Sequence, residues 1–252
     1  MRPRPAATHR RPADVQQLPL SLRWPAQQRF ETFFVGVNGA TVDLLERVAA
    51  GSETAWVFLH GPEGSGRTHL AMAACQAASA AGFSAQYLPL AALATAQDGA
   101  IRGFGGSDLL VLDDVGAIAG IAAAEHALFD LYNRCRAEGS TLVFVADAPP
   151  AQLGIALPDL VSRLSSCTQA PLRPLDDAQR REVLRERAEA RGIALDESVL
   201  DFLFTHYARD LGSLGALLDQ VDRASLAAKR RVTVPFLRQL LREQRAGAAD
   251  EG

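Results

Sequence analysis

Residues 61–68 read Gly-Pro-Glu-Gly-Ser-Gly-Arg-Thr. They follow a short apolar run, "AWVFLH" (55–60), and lead into a helical stretch over about Thr68–Ala80. Three glycines in eight residues, set between a strand and a helix, leave few folds open. Glycine reaches positive φ and lets the main chain approach a ligand closely. Gly61, Pro62, Glu63, Gly64, Ser65, Gly66 and Thr68 all satisfy the pattern G-x-x-x-x-G-K-[ST]. Arg67 alone departs from it, standing where the pattern has lysine. In such a loop the backbone N–H groups point at phosphate oxygens, and the following helix adds its positive end. Thr68 is placed to offer its hydroxyl to Mg²⁺. Lysine is a compact charge that reaches the outer phosphates, whereas arginine is a longer planar fork. The loop therefore argues for nucleotide binding more strongly than for fast hydrolysis.

The rest of the chain supplies a sheet around that loop. "SAQYLPL" (84–90), "DLLVLDDV" (108–115) and "TLVFVAD" (141–147) read as further strands, the second apolar on both faces as in a buried parallel sheet. "AAAEHALFDLYNRCRAEG" (122–139) reads as an amphipathic helix closed by Gly139. Strands alternating with helices predict a doubly wound α/β domain. After Pro174 four helical patterns follow: 176–192, 196–208, 213–231 and a short last one over 233–244. The expected organisation is a flexible tail (1–27), an α/β nucleotide-binding domain (28–174), a small all-helical lid (175–244) and a second flexible tail (245–252).

Composition narrows the function classes. The chain has 252 residues, 48% of them hydrophobic, enough for one core and a small second one. A net charge of −3 does not suit a free-standing DNA binder. No apolar run approaches the roughly 18–20 residues that span a bilayer. The Arg- and Pro-rich start lacks an apolar core, so it is not read as a signal peptide. Cys75, Cys135 and Cys167 show no metal-ligand spacing and suit a reducing compartment. A cytoplasmic protein is expected.

Two acids end the third strand. Asp113 follows "LLVL", the place of an acid that holds Mg²⁺, and Asp114 takes the next place, that of a water-activating acid. Asp147 ends the fourth strand, within reach of the outer phosphate region.

Together the loop, "LLVLDD", the strand ending at Asp147, "LVSRL" and the helical lid resemble an AAA+ ATPase domain, and most of all that of the replication initiator DnaA. "FETFFVGVNGA" (30–40) is similar to the segment that closes over adenine in that family. The likeness implies base contacts at Val35, Gly36 and Asn38. "LPDLVSRL" (157–164) resembles the segment bearing an arginine finger, which implies that Arg163 is that finger. The likeness covers about residues 28–242. After it only "RAGAADEG" remains, without the DNA-reading domain of DnaA.

A DnaA-like core behind a leucine-rich tail resembles the Hda family of DnaA regulators, as do "FDLYNR" (129–134) and "LDQVDRAS" (218–225). In the tail, "QLPLSL" (17–22) resembles the motif by which proteins dock on the sliding clamp of DNA polymerase III. Gln17 would bond at a pocket rim, while Leu18, Leu20 and Leu22 alternate toward one surface. One position departs from the superfamily pattern: Gly212 stands where a lid arginine reaches the phosphates, with Arg209 three residues before it.

The resemblance implies a regulator that binds ADP or ATP with Mg²⁺. It would meet DNA indirectly through the clamp, with direct contact by the Arg-rich tail left open, touch no membrane, and present Arg163 to ATP held by DnaA. Self-association as a homodimer or larger assembly is compatible with it. Its own ATPase would be weak or absent. Two other readings stay open: a small ATPase of the helicase-loader kind, and a module that only recruits a partner to the clamp.

Overall fold

The computed structural model describes residues 28–93, 100–206, 211–228 and 232–250. Gln17, Leu18, Leu20, Leu22 and Arg209 lie outside the described residues. In chain order the elements are α1 (Gly39–Ala49), β1 (Val57–His60), α2 (Arg67–Ala80), β2 (Ala85–Pro89), α3 (Leu90–Leu93), β3 (Leu109–Asp113), α4 (Ala122–Glu138), β4 (Thr141–Ala146), α5 (Pro158–Ser165) and β5 (Thr168–Pro171). The lid follows as α6 (Asp177–Glu189), α7 (Glu197–His206), α8 (Leu211–Ala228) and α9 (Val234–Asp250).

The five strands form one parallel sheet in the order β2-β3-β4-β1-β5. Val57 pairs with Val143 on one side and Thr168 on the other. All five residues of β3 are buried, as expected of a strand covered on both faces. Successive side chains alternate between two cores. Phe58, Leu110, Leu112 and Phe144 pack with Leu128 and Leu131 of α4. Val57, Leu59, Val111, Val143 and Val145 pack with Leu45 of α1 and with Leu70 and Cys75 of α2.

Two polar ties fix how loops meet this core. Glu125 of α4 is 1% exposed. Its carboxylate accepts from the N–H groups of Gly120 (2.7 Å), Ala156 (3.0 Å) and Leu157 (2.8 Å), the last being the residue before α5. Asn38 is also buried, and its amide both donates to the Arg173 carbonyl (3.0 Å) and accepts from the Arg173 N–H (2.9 Å).

The lid packs on its own apolar centre, including Leu184, Val199, Leu203, Leu217, Val221 and Leu237. Asp176 caps α6 in a reciprocal pair with Gln179. Arginines of α6 and just beyond pair with acids: Arg181 with Asp201, Arg185 with Glu197, Arg191 with Asp219.

Three features differ from the sequence expectation. Helix α1 is present between the expected base-closing segment and β1; its buried positions Val42, Leu45 and Val48 carry a helical period. Strand β5 was not expected, because "TQAP" has no apolar run. It is an edge strand with only Ala170 buried, where a proline at the end costs no ladder bond. Helix α9 continues to Asp250, six residues past the expected end at 244, through "RAGAAD". Its three alanines favour helix enough to carry the one glycine.

Candidate functional site

Gly64 and Gly66 adopt φ of +74° and +92°, so the 61–68 loop uses them as only glycine can. Gly66 precedes α2, and no side chain caps the first turn of that helix. Its N–H groups are thus left for another partner, which is the arrangement that binds an anion. Gly61 has no room for a side chain: a Cβ there would stand 2.6 Å from the Leu172 carbonyl oxygen and 2.9 Å from Ser65 Oγ. Ser65 is 6% exposed, and its hydroxyl has no hydrogen-bond partner among the described residues. A buried hydroxyl without a partner beside a glycine-walled turn fits a phosphate cradle.

Gly61→Ala is therefore expected to cost about 1–3 kcal/mol, because the Leu172 backbone must move. The melting midpoint should fall, and ADP affinity by calorimetry should drop at least about tenfold. Unchanged ADP affinity would contradict the cradle.

The acids gather behind this loop. Asp113 is 1% exposed. Its Oδ2 accepts from Thr68 Oγ1 at 2.9 Å and from the Tyr87 hydroxyl at 2.7 Å, and its Oδ1 accepts from the Asp114 N–H at 2.9 Å. Burial, together with this hydrogen bond to Asp113, raises the Tyr87 pKa, so the phenol stays a donor. Arg67 folds back: its Nη1 donates to the Gly61 carbonyl at 2.6 Å, tying the two ends of the loop.

Asp114 has φ +57°, the one left-handed residue besides glycines among the described residues. Burial against its neighbours and the charge of Asp113 raise its pKa, Asp147 adds to the shift, and Arg67 opposes it. A raised folded-state value for an acid means that ionisation weakens the fold. The penalty is absent below the ordinary carboxylate range and complete above the folded value. Asp114→Asn should thus raise the melting midpoint at pH 7 by about 1–2 °C, a gain kept small by solvent screening at this exposed residue. The gain should fade as pH drops into the carboxylate range. A gain that does not vary with pH would refute the electrostatic cause.

The expected base-contacting segment lies against the lid. Gly36 (φ +49°) neighbours Phe34, Leu175 and Gln179 near the start of α6. Val35 is 38% exposed, whereas both amide atoms of Asn38 are committed to Arg173. Asn38 thus shapes the segment through its backbone tie. Phe33 covers Gly66 and meets His69 edge-on at 5.4 Å. Burial is the largest cause of a lowered His69 pKa, and the nearby Arg187 adds to it. Gly212 falls in the first turn of α8.

Arg163 stands elsewhere. It is on the last turn of α5 and lines a groove with Ala55, Trp56, Ser140, Thr141, Cys167 and Thr168. These residues precede or begin β1, β4 and β5, whereas the phosphate loop follows the far end of β1. The guanidinium lies over the Tyr132 ring at 5.7 Å and has no carboxylate partner among the described residues.

The structure thus brings together Thr68, Asp113, Asp114 and Asp147 with the 61–68 loop, and sets Arg163 apart. Sequence reasoning missed Tyr87, for which a lone tyrosine on a strand gave no signal. It also missed Glu125, whose signal was present: an acid in the apolar stripe of α4 beside Ala124 and Leu128.

Comparisons with known proteins agree with this architecture. Residues 25–170 match the family model described as the bacterial DnaA ATPase domain, and residues 177–241 match that of the Hda lid domain. The fold is similar to replication initiator DnaA bound to AMPPCP and single-stranded DNA (20% identity, TM-score 0.69, covering 89% of this chain and 70% of that one). It is similar to AMPPCP-bound DnaA from Aquifex aeolicus (21%, 0.67, 79% and 65%). It is also similar to domain III of the Thermotoga maritima replication initiation protein DnaA (23%, 0.71, 87% and 98%). The chain thus spans 65% of the Aquifex chain and nearly all of the isolated Thermotoga domain. With more than half its length matched, the chain belongs to the bacterial DnaA ATPase-domain family, and its AAA+ domain is followed by an Hda lid.

Proposed function

We propose that this protein is a negative regulator of chromosomal replication initiation, which docks on the DNA-loaded sliding clamp and promotes hydrolysis of ATP held by DnaA. The observation that carries this reading is the position of Arg163. It lies at the start of the parallel strands, and the chain's own phosphate loop lies past their other end. The four residues of β1 alone span about 13 Å. Arg163 therefore serves a phosphate held by another molecule. A guanidinium presented in trans stabilises charge on a transferring phosphoryl group. Tyr132 holds that guanidinium in place, and no acid neutralises it among the described residues.

The chain's own site fits ADP or ATP. The Ser65 hydroxyl, the glycine-walled turn and the uncapped start of α2 are the groups that would hold phosphates. Mg²⁺, when bound with a nucleotide, neutralises phosphate charge. Thr68 and Asp113 would hold it, with water and phosphate completing the oxygen shell. Asp114 and Asp147 stand beside them, near enough for their charges to be felt. The tie from Arg67 to Gly61 leaves that guanidinium turned into the loop, which favours holding a nucleotide over turning it over. This bound nucleotide supports the shape of the AAA+ domain, and the chemistry is done on DnaA.

Gln17, Leu18, Leu20 and Leu22 would tether the protein to the clamp, concentrating it where DnaA is to be reset. No described helix is long and apolar enough to cross a membrane. The tether is tested with the double variant Gln17→Ala, Leu18→Ala on clamp-loaded DNA. Loss of clamp binding in a pull-down, together with loss of stimulated hydrolysis, supports the reading. Full clamp binding by this variant refutes the tether.

A further inference from the structure

The groove under Arg163 holds a second arginine that the reading above does not use. It is a concavity of about 700 Å³. Arg136 enters it from the last turn of α4, and Arg163 from the last turn of α5. Neither has an acidic partner among the described residues, and no aspartate or glutamate lines the groove. Asp159, four residues before Arg163 on α5, makes no ion pair with it among the described residues, and the acids flanking the groove's other walls are engaged elsewhere. Glu53 accepts from the Ala55 N–H at 2.9 Å; Glu138 accepts from the Gly106 N–H at 3.1 Å and pairs with Arg134.

Six other arginines among the described residues have acids: Arg102 with Asp130, Arg134 with Glu138, and four near α6 with theirs. Two unpaired guanidiniums on one concave wall repel each other until an anion lies between them. The negative ends of α4 and α5 keep both there meanwhile. Thr54, Thr141 and Thr168 also line the groove, residues that carry neutral hydroxyl donors of the kind suited to phosphate oxygens.

The floor is rigid. Trp56 Nε1 donates to the Ser140 carbonyl at 3.0 Å, and its ring meets Tyr132 edge-on at 4.4 Å. Arg163 lies on that same Tyr132 ring, so one arginine is pinned while Arg136, on an exposed helix end, is free to swing.

We propose that this groove is an anion socket for the polyphosphate of a nucleotide held by another protein, with Arg136 as the second cation beside Arg163. The proposal rests on the function given above and adds the ligand class and the partner residue. Arg163 acts on the transferring phosphoryl group. Arg136 binds the remaining phosphate charge and draws the two proteins together, an effect on affinity and encounter more than on the chemical step.

The test titrates the full chain into DnaA–ATP on clamp-loaded DNA and reads both the plateau hydrolysis rate and the concentration giving half of it. The variants are Arg136→Ala, Arg136→Lys and Arg136→Glu, with Arg47→Ala on exposed α1 as the control for loss of one positive charge. Arg136→Ala should raise the half-maximal concentration about tenfold, Arg136→Glu further, and Arg136→Lys less, with the plateau kept within about twofold. Melting curves should match wild type, since Arg136 is exposed. If Arg136→Ala and Arg136→Glu equal wild type at every concentration, or merely equal Arg47→Ala, the socket is refuted while the regulator reading stands. If wild type itself does not stimulate hydrolysis, both fall together.

Discussion

Arg163→Ala is expected to abolish stimulated hydrolysis of DnaA-bound ATP, lowering the plateau rate by about 10³-fold or more. Arginine fingers supplied in trans are worth about 10³–10⁵ in rate. The loss should leave the protein folded. The Arg163 side chain is only partly buried, and it gives up one contact with the Tyr132 face and no ion pair among the described residues. Such a contact is worth about 0.5–1 kcal/mol at a partly exposed site. ADP binding should also persist, because the phosphate loop lies past the far end of β1, and clamp binding should persist, because Gln17, Leu18, Leu20 and Leu22 are unchanged. Arg163→Lys should recover little, since a point charge does not reproduce the planar fork. A purely structural role would instead show as a lowered melting midpoint with hydrolysis lost in proportion.

Glu125→Ala should be the most destabilising of the substitutions considered. The Glu125 carboxylate is 1% exposed and is the acceptor for the N–H groups of Gly120, Ala156 and Leu157. Alanine removes the charged acceptor shared by those donors, each lost bond to a carboxylate costing about 1–3 kcal/mol, less what water supplies at the exposed Gly120 and Ala156. A net loss of about 3–5 kcal/mol follows, which lowers the melting midpoint by roughly 6–20 °C for a domain of this size. Leu157 and Pro158 start the helix that carries Arg163, so the damage reaches function through position. Glu125→Gln keeps one acceptor oxygen and turns an amide donor toward these N–H groups, so it should recover only part of the loss. A midpoint for Glu125→Ala within about 2 °C of wild type would show that the loop before α5 is held by its apolar packing alone.

Much of this molecule is legible in its sequence. The fold class, β1 to β4, α2, α4 and the lid followed from two kinds of signal: apolar runs long enough for buried strands, and glycines placed between a strand and a helix. The glycine-rich loop at 61–68 and the acid that meets Thr68 were legible because the pattern sets particular residues at fixed spacing. What escaped has a physical reason in each case. Strand β5 lies at the edge of the sheet and buries only Ala170, so its sequence carries no apolar signature. The Tyr87 hydroxyl meets Asp113 only because β2 and β3 pair in a register that puts Tyr87 opposite Val111. The backfolding of Arg67 onto Gly61 depends on loop geometry that the one-letter pattern does not encode. Asn38 was marked for a base contact by resemblance, yet its amide pairs with a backbone 135 residues away. That pairing was invisible without the tertiary fold.

The most direct measurement is a single-turnover assay of DnaA preloaded with radiolabelled ATP, on clamp-loaded DNA, with and without this protein and its Arg163→Ala variant. The expected result is rapid conversion to ADP with wild type, a rate near the unstimulated one with Arg163→Ala, and little hydrolysis of free ATP by this protein alone. The account would be contradicted if wild type left the DnaA-bound ATP intact, or if Arg163→Ala converted it as fast as wild type.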